Sequence, residues 1–179
     1  MRKSEWSFTT ILNQLKRLLM RYKQTSIKSQ GRHPMEVHRI YPATVIRVID
    51  GDSIILDFDV GFNLTKNNES CRLWGIDTAE IRGGTPETKA IGLLAKDYVK
   101  GMLPPGASVI AKTHRDKKGK FGRYLAQIEI GGIEINQTLL DRRLAIPYFG
   151  GSKDGKIEKH LENYEHHLKK GSFSLTARL

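Results

Sequence analysis

The chain has a single cysteine, Cys71, in 179 residues. That excludes an intrachain disulfide framework and any zinc site built from several cysteines. It also lacks an uninterrupted apolar run of the roughly 20 residues that a membrane-spanning helix needs. A secretory h-region is missing as well, because Asn13, Gln14, Lys16 and Arg17 break the apolar stretch near the start and no small-residue cleavage site follows. There is no internal repeat and no low-complexity tract. Acid is scarce beside base: 19 Asp+Glu against 30 Lys+Arg, a net charge of +11. What remains is an ordinary folded composition, 39% hydrophobic and 27% charged. The positive excess predicts an anionic partner, nucleic acid or an anionic membrane surface, without choosing between them.

The charge is unevenly spread. Residues 1–40 hold nine basic and two acidic side chains, +7, which leaves +4 for residues 41–179. Within the first part, Phe8, Ile11, Leu12, Leu15, Leu18, Leu19 and Tyr22 recur at intervals of three and four, with Lys16, Arg17, Arg21 and Lys23 between them. This spacing predicts a basic amphipathic helix over Trp6–Tyr22. Residues 6–23 suit contact with an anionic membrane or with nucleic acid, an organellar presequence, or docking on the chain's own domain. Gln24–Pro34 reads as a linker. The predicted organisation is an extension and linker over 1–40, a domain over 41–171 and a tail over 172–179.

From Tyr41 the pattern is β-rich. Ala43–Val48 and Ser53–Phe58 flank Asp50-Gly51-Asp52 and predict a hairpin. Asp59–Glu69 reads as a polar loop before a third strand, Ser70–Gly75. Thr85-Pro86-Glu87 places a capping hydroxyl, a first-turn proline and a first-turn acid before a helix to about Met102. Its predicted inner face is Ile91, Leu94, Ala95, Tyr98 and Met102. Ser108–Lys112 and Tyr124–Ile130 are two further strands joined by a basic loop, His114–Gly122. A short helix is expected over Asn136–Leu144, and Ile157, Leu161, Tyr164 and Leu168 mark a last one, closed by Gly171. His160, His166 and His167 are assigned to its charged outer face. Five strands with a helix after the third predict a Greek-key barrel of the OB type with about three flanking helices.

Three segments carry chemistry together: Asp50-Gly51-Asp52-Ser53, Arg72-Leu73-Trp74-Gly75-Ile76-Asp77-Thr78-Ala79-Glu80, and Lys120-Phe121-Gly122-Arg123. Each alone has an ordinary reading as a turn, a strand end or a surface charge. In this order and spacing they resemble the staphylococcal nuclease (thermonuclease-like) family, over about Thr44 to Lys170. Ile135-Asn136-Gln137-Thr138-Leu139-Leu140, Leu144-Ala145 and His160-Leu161 extend the likeness beyond the site.

The resemblance implies that Asp52, Asp77 and the Thr78 carbonyl bind Ca²⁺, with Mg²⁺ the lesser choice, and that Asp50 orients the cluster from behind. Two carboxylates about 4 Å apart repel by about 4 kcal/mol at an effective dielectric near 20, so such a pair invites a cation. All-oxygen donors suit a hard cation rather than zinc. The resemblance further implies that Glu80 orients or deprotonates water and that Arg72 and Arg123 clamp phosphate. The expected reaction is metal-assisted hydrolysis of DNA, RNA or both, leaving 3′-phosphate ends. Lys120, Phe121 and Tyr148 are candidate substrate contacts, and a monomer is expected.

Three positions depart from the family pattern. Ala79 replaces a proline, Phe121 replaces a tyrosine, and Gly119 stands where an acid is usual. These bear on rate and substrate preference rather than on reaction type. The competing reading is a non-catalytic nucleic-acid-binding OB module. It predicts lost ligands, whereas Asp52, Arg72, Asp77, Glu80 and Arg123 are all present. Lack of a secretory signal and the lone cysteine favour an intracellular or phage-type setting, with an organellar or membrane-associated one as the alternative.

Overall fold

The computed structural model describes residues 39–114, 122–152 and 154–173. The amphipathic helix expected at Trp6–Tyr22, its linker, Lys120 and Phe121 lie outside the described residues. All of those described fall within one compact unit, His38–Leu179.

Strands β1 (Arg39–Asp50) and β2 (Ser53–Asp59) form the expected hairpin, with Asp50 opposite Ser53 and Gly51-Asp52 as the turn. β3 (Thr65–Leu73) runs antiparallel to β2. β5 (Ser108–His114) pairs with the other edge of β1, and β6 (Tyr124–Ile130) pairs with β5. The sheet closes because β6 also lies parallel to β3, with Cys71 opposite Tyr124 and Arg72 opposite Leu125. The result is the closed five-stranded OB-type barrel that the pattern predicted. Register shifts in the β1–β2 and β2–β3 pairings add the extra coiling that closure demands. A two-residue strand, β7 (Ile133–Glu134), extends β6, while β4 (Ile76–Asp77) and β8 (Ile146–Pro147) make a separate pair. Three helices flank the barrel: α1 (Pro86–Met102), α2 (Ile135–Asp141) and α3 (Lys156–Lys169).

The core follows from side-chain alternation. Ala43 and Val45 of β1, Val109 and Ala111 of β5, and Ala126 and Ile128 of β6 point inward while their neighbours face out. β2, with β1 on one side and β3 on the other, is buried at five of seven positions. Thr85 caps α1 by accepting the Thr88 N–H at 3.4 Å, and Pro86 opens the helix as predicted.

Three expectations need correction. β3 begins at Thr65, inside the stretch read as a loop; its first four residues are exposed, so no alternation marks them. The stripe that α1 buries is Thr88, Ile91, Gly92, Ala95 and Val99; Leu94, Tyr98 and Met102 only border the core. In α3 the buried residues are His160, Asn163 and His167, whereas Ile157 and Leu168 are exposed. Hydrophobicity misreads that face because its polar groups have specific partners. Asn163 donates to the Ala145 carbonyl at 3.3 Å, and the His167 ring lies 2.9 Å from the Arg142 carbonyl and 3.1 Å from Ser172 Oγ.

Candidate active site

Four chain segments meet at one end of the barrel. The β1–β2 turn carries Asp52, the end of β3 carries Arg72, β4 carries Asp77, and the first two turns of α3 carry Lys156 and His160. Arg72 Nη2 lies 2.8 Å from Asp52 Oδ2 and 2.5 Å from Asp77 Oδ1. Lys156 Nζ is 3.0 Å from Asp77 Oδ1, and His160 Nε2 is 3.4 Å from Asp77 Oδ2. Ser53 donates its hydroxyl to Asp52 Oδ1 at 2.9 Å, and the Thr78 N–H points at Asp52 Oδ2 from 3.4 Å. The Asp52 carbonyl accepts the Leu73 N–H at 2.8 Å, which ties the turn to β3. Asp50 Oδ1 accepts the Gly51 N–H at 2.8 Å and so orients the turn that carries Asp52.

Two glycines let these segments close up. A Cβ on Gly51 would lie 2.9 Å from Thr78 Oγ1 and 3.1 Å from the Ala95 methyl. One on Gly92 would lie 2.4 Å from the Ala79 carbonyl oxygen, a backbone atom that cannot rotate away. Helix α1 therefore presses against the main chain of Ala79, the residue before Glu80, and Gly92 permits the approach.

The two carboxylates differ in protonation tendency. Burial pushes Asp52 above its ordinary range, and the Arg72 charge and the Ser53 hydrogen bond only partly offset it. Burial acts in the same direction on Asp77, but hydrogen bonds from His160 and Lys156, with the Lys156 and Arg72 charges, bring it net below its ordinary range. The pair is thus neutralised by basic side chains on Asp77 and by one shared guanidinium.

The donor set fits a hard cation. Asp52 and Asp77 each direct an oxygen at the same positive atom, and Thr78 follows Asp77 directly in the chain. Among the described residues no group of three or more His, Cys, Asp or Glu forms a side-chain cage. Two carboxylates and a main-chain oxygen could hold a cation while leaving positions for water and substrate.

The remaining predicted residues are placed as follows. Thr78 is buried and Glu80 is exposed, three residues beyond Asp77. Arg123 is half-buried and directly precedes β6, the strand beside the one that carries Arg72. Tyr148 sits beside β4, its N–H on the Gly75 carbonyl at 2.9 Å. One face of its ring carries Lys156 Nζ, 3.3 Å from the centroid. Sequence reasoning missed Lys156 and Gly92 and put His160 on the outer face of α3. The four-residue spacing of Lys156 and His160 places them on one helix face, a signal that was available. Among the described residues no helix is long and apolar enough to cross a membrane.

Residues 70–175, more than half the chain, match the family described as staphylococcal nuclease homologue. The thermonuclease of Staphylococcus hyicus is 34% identical over 102 residues, 56% of this chain and 56% of that protein. The thermonuclease of Staphylococcus intermedius is 36% identical over the same coverage. The endonuclease YhcR of Bacillus subtilis is 30% identical over 154 residues, 80% of this chain but 12% of that protein. The chain thus spans little more than half the length of the two thermonucleases. With barrel, acidic pair and arginine in place, and more than half the chain matched, this protein belongs to the staphylococcal nuclease homologue family.

Proposed function

We propose that this chain is a metal-dependent nuclease that hydrolyses phosphodiester bonds of DNA, RNA or both, with Ca²⁺ as its cation and 3′-phosphate ends as products. The observation that carries the reading is the meeting of Asp52, Arg72 and Asp77, with Arg72 Nη2 within hydrogen-bonding distance of both carboxylates, from a hairpin turn and two separate strands. Nuclease-named relatives support it.

Asp52, Asp77 and the Thr78 carbonyl would hold the cation, with Asp50 fixing the turn behind them. A divalent cation there supplies charge neutralisation at a phosphoryl oxygen. Both carboxylate contacts of Arg72 use Nη2, and a guanidinium has five N–H donors, so its remaining edge suits a phosphate. Arg72 and Arg123 together stabilise charge growing at the five-coordinate phosphorus. Glu80, exposed at the rim, aligns a water in line with the departing 5′ oxygen and accepts its proton. Lys120, Phe121 and Tyr148 are proposed substrate contacts, and residues 6–23 a further contact with nucleic acid or an anionic membrane. Deleting residues 1–34 tests the last point; unchanged vesicle binding and nucleic-acid affinity would remove it.

The test of the function is incubation of the full chain with plasmid, single-stranded DNA and RNA in Ca²⁺, in Mg²⁺ and in chelator. Degradation in Ca²⁺ that chelator abolishes is expected. Cleavage that persists in chelator refutes the mechanism, and binding without cleavage in every condition favours the non-catalytic module.

A further inference from the structure

We propose that Arg142, Arg143, Lys169 and Lys170 form a second contact for the sugar–phosphate backbone of the nucleic acid, on its path away from Arg72. This rests on the nuclease reading and adds to it a surface remote from the cleaved bond. The four side chains are exposed and lie where the end of α2 meets the end of α3. The two helix ends are tied together by the His167 ring, 2.9 Å from the Arg142 carbonyl. The His166 ring lies in the same field: partial desolvation, then the Lys170 and Arg143 charges, hold it below its ordinary range. Arg142 is steadied by the Tyr98 ring, 4.9 Å from its guanidinium. Among the described residues no ion pair joins any of the four to a carboxylate. Asp141, the acid next to them in the chain, is engaged instead by Gln137 Nε2 at 2.7 Å.

Arg143 separates this patch from an ordinary solvated face. It stands at φ +56°, the left-handed residue that stops α2. Its N–H bonds the Leu140 carbonyl and the next N–H, of Leu144, bonds the Leu139 carbonyl, both at 2.9 Å. Glycine suits such a helix stop because it has no Cβ to clash, so an arginine here carries a conformational cost that glycine avoids. The C-terminal dipoles of α2 and α3 favour basic side chains nearby, but they do not call for one at the strained position itself. Cations without carboxylate partners repel one another and gain most from an anion that touches several at once. A nucleic-acid backbone is such an anion. The reach also fits. Lys169 and Lys170 follow His160, which meets Asp77, by nine and ten residues on the same helix. That is about 14–15 Å at 1.5 Å per residue. About four steps of a duplex strand at 3.4 Å each cover this distance, so a backbone clamped at Arg72 extends to the patch.

The test compares Arg143→Gly, alone and combined with Lys169→Ala and Lys170→Ala, in the full chain. Affinity for a duplex of about 20 base pairs is read by fluorescence anisotropy across a salt series, in Ca²⁺ and on a Glu80→Gln background that keeps cleavage low. Arg143→Gly should weaken binding roughly 3- to 10-fold near 0.1 M salt and reduce the slope of log affinity against log salt by about 0.9. The triple variant should reduce that slope by about 2.7. Without the Glu80 change, Arg143→Gly should raise KM for the same duplex and leave kcat no lower. Its Tm should stay level or rise, because glycine relieves the left-handed position. Unchanged affinity and salt slope in the triple variant, a loss confined to kcat, or a lower Tm in Arg143→Gly overturns the proposal alone. So does loss of binding to phosphatidylserine vesicles with duplex affinity intact, which assigns the patch to lipid. If unmodified protein neither binds nor cleaves the duplex, the nuclease reading falls and this inference with it.

Discussion

Replacing Gly92 with alanine separates the stability of the barrel from the placement of its chemistry. On helix propensity alone the change is favourable by about 0.8–1.0 kcal/mol. The new methyl would, however, stand 2.4 Å from the Ala79 carbonyl oxygen, where ordinary contact begins at 3.4 Å. Either α1 or the Ala79 main chain must yield by about 1 Å. Overpacking of this kind costs about 1–3 kcal/mol, so the net destabilisation is about 0–2 kcal/mol, or up to about 8 °C in Tm. The rate should suffer more, because a 1 Å displacement of a catalytic group costs about a hundredfold, and Ala79 directly precedes Glu80. Gly101→Ala is the control: it lies in the same helix, nothing stands within 4 Å of its added Cβ, and wild-type activity is expected. Thermal melts and initial cleavage rates on both variants decide the matter. Wild-type rate and Tm in Gly92→Ala would show that the approach of α1 to this loop does not position Glu80.

Arg72→Lys keeps the charge but loses the planar guanidinium, whose Nη2 reaches both carboxylates and whose remaining edge is proposed to grip phosphate; cleavage should fall by at least about tenfold, and a wild-type rate would remove that role. Cys71 is fully buried and burial pushes its thiol up to about 12, so it should resist thiol reagents at pH 8 until the protein is denatured. Asp77 is held below its ordinary 3.8, so its stabilising contribution is complete above that value and is lost as pH falls below it. Urea unfolding in chelator should therefore show the difference between wild type and Asp77→Asn constant from pH 5 to 7 and shrinking below about pH 4. A difference that stays flat to pH 3 would mean that the contacts of Asp77 do not stabilise its ionised form.

Much of this site is visible in the order of residues. Asp52 sits in a hairpin turn whose flanking strands alternate, and the Thr85-Pro86-Glu87 start fixes where α1 begins. Local chemistry dictates these features, so local sequence reveals them. Features that depend on a distant partner do not appear there. β3 starts early because β2 supplies a pairing edge, not because Thr65–Asn68 has any inward face. His160 is buried because Asp77 meets it across 83 residues of chain. Gly92 looks like a weak helix residue until the Ala79 carbonyl is seen against it. Lys156 likewise reads as a surface lysine, although its amine lies between Asp77 and the Tyr148 ring.

The central claim is that this barrel end hydrolyses phosphodiesters with Glu80 handling the water. Single-turnover cleavage of one labelled strand by wild type and Glu80→Gln in Ca²⁺, with binding measured in parallel, tests it most directly. The account predicts a rate at least about a hundredfold lower in Glu80→Gln, with affinity changed by no more than a few-fold. Equal cleavage rates for the two proteins would contradict it.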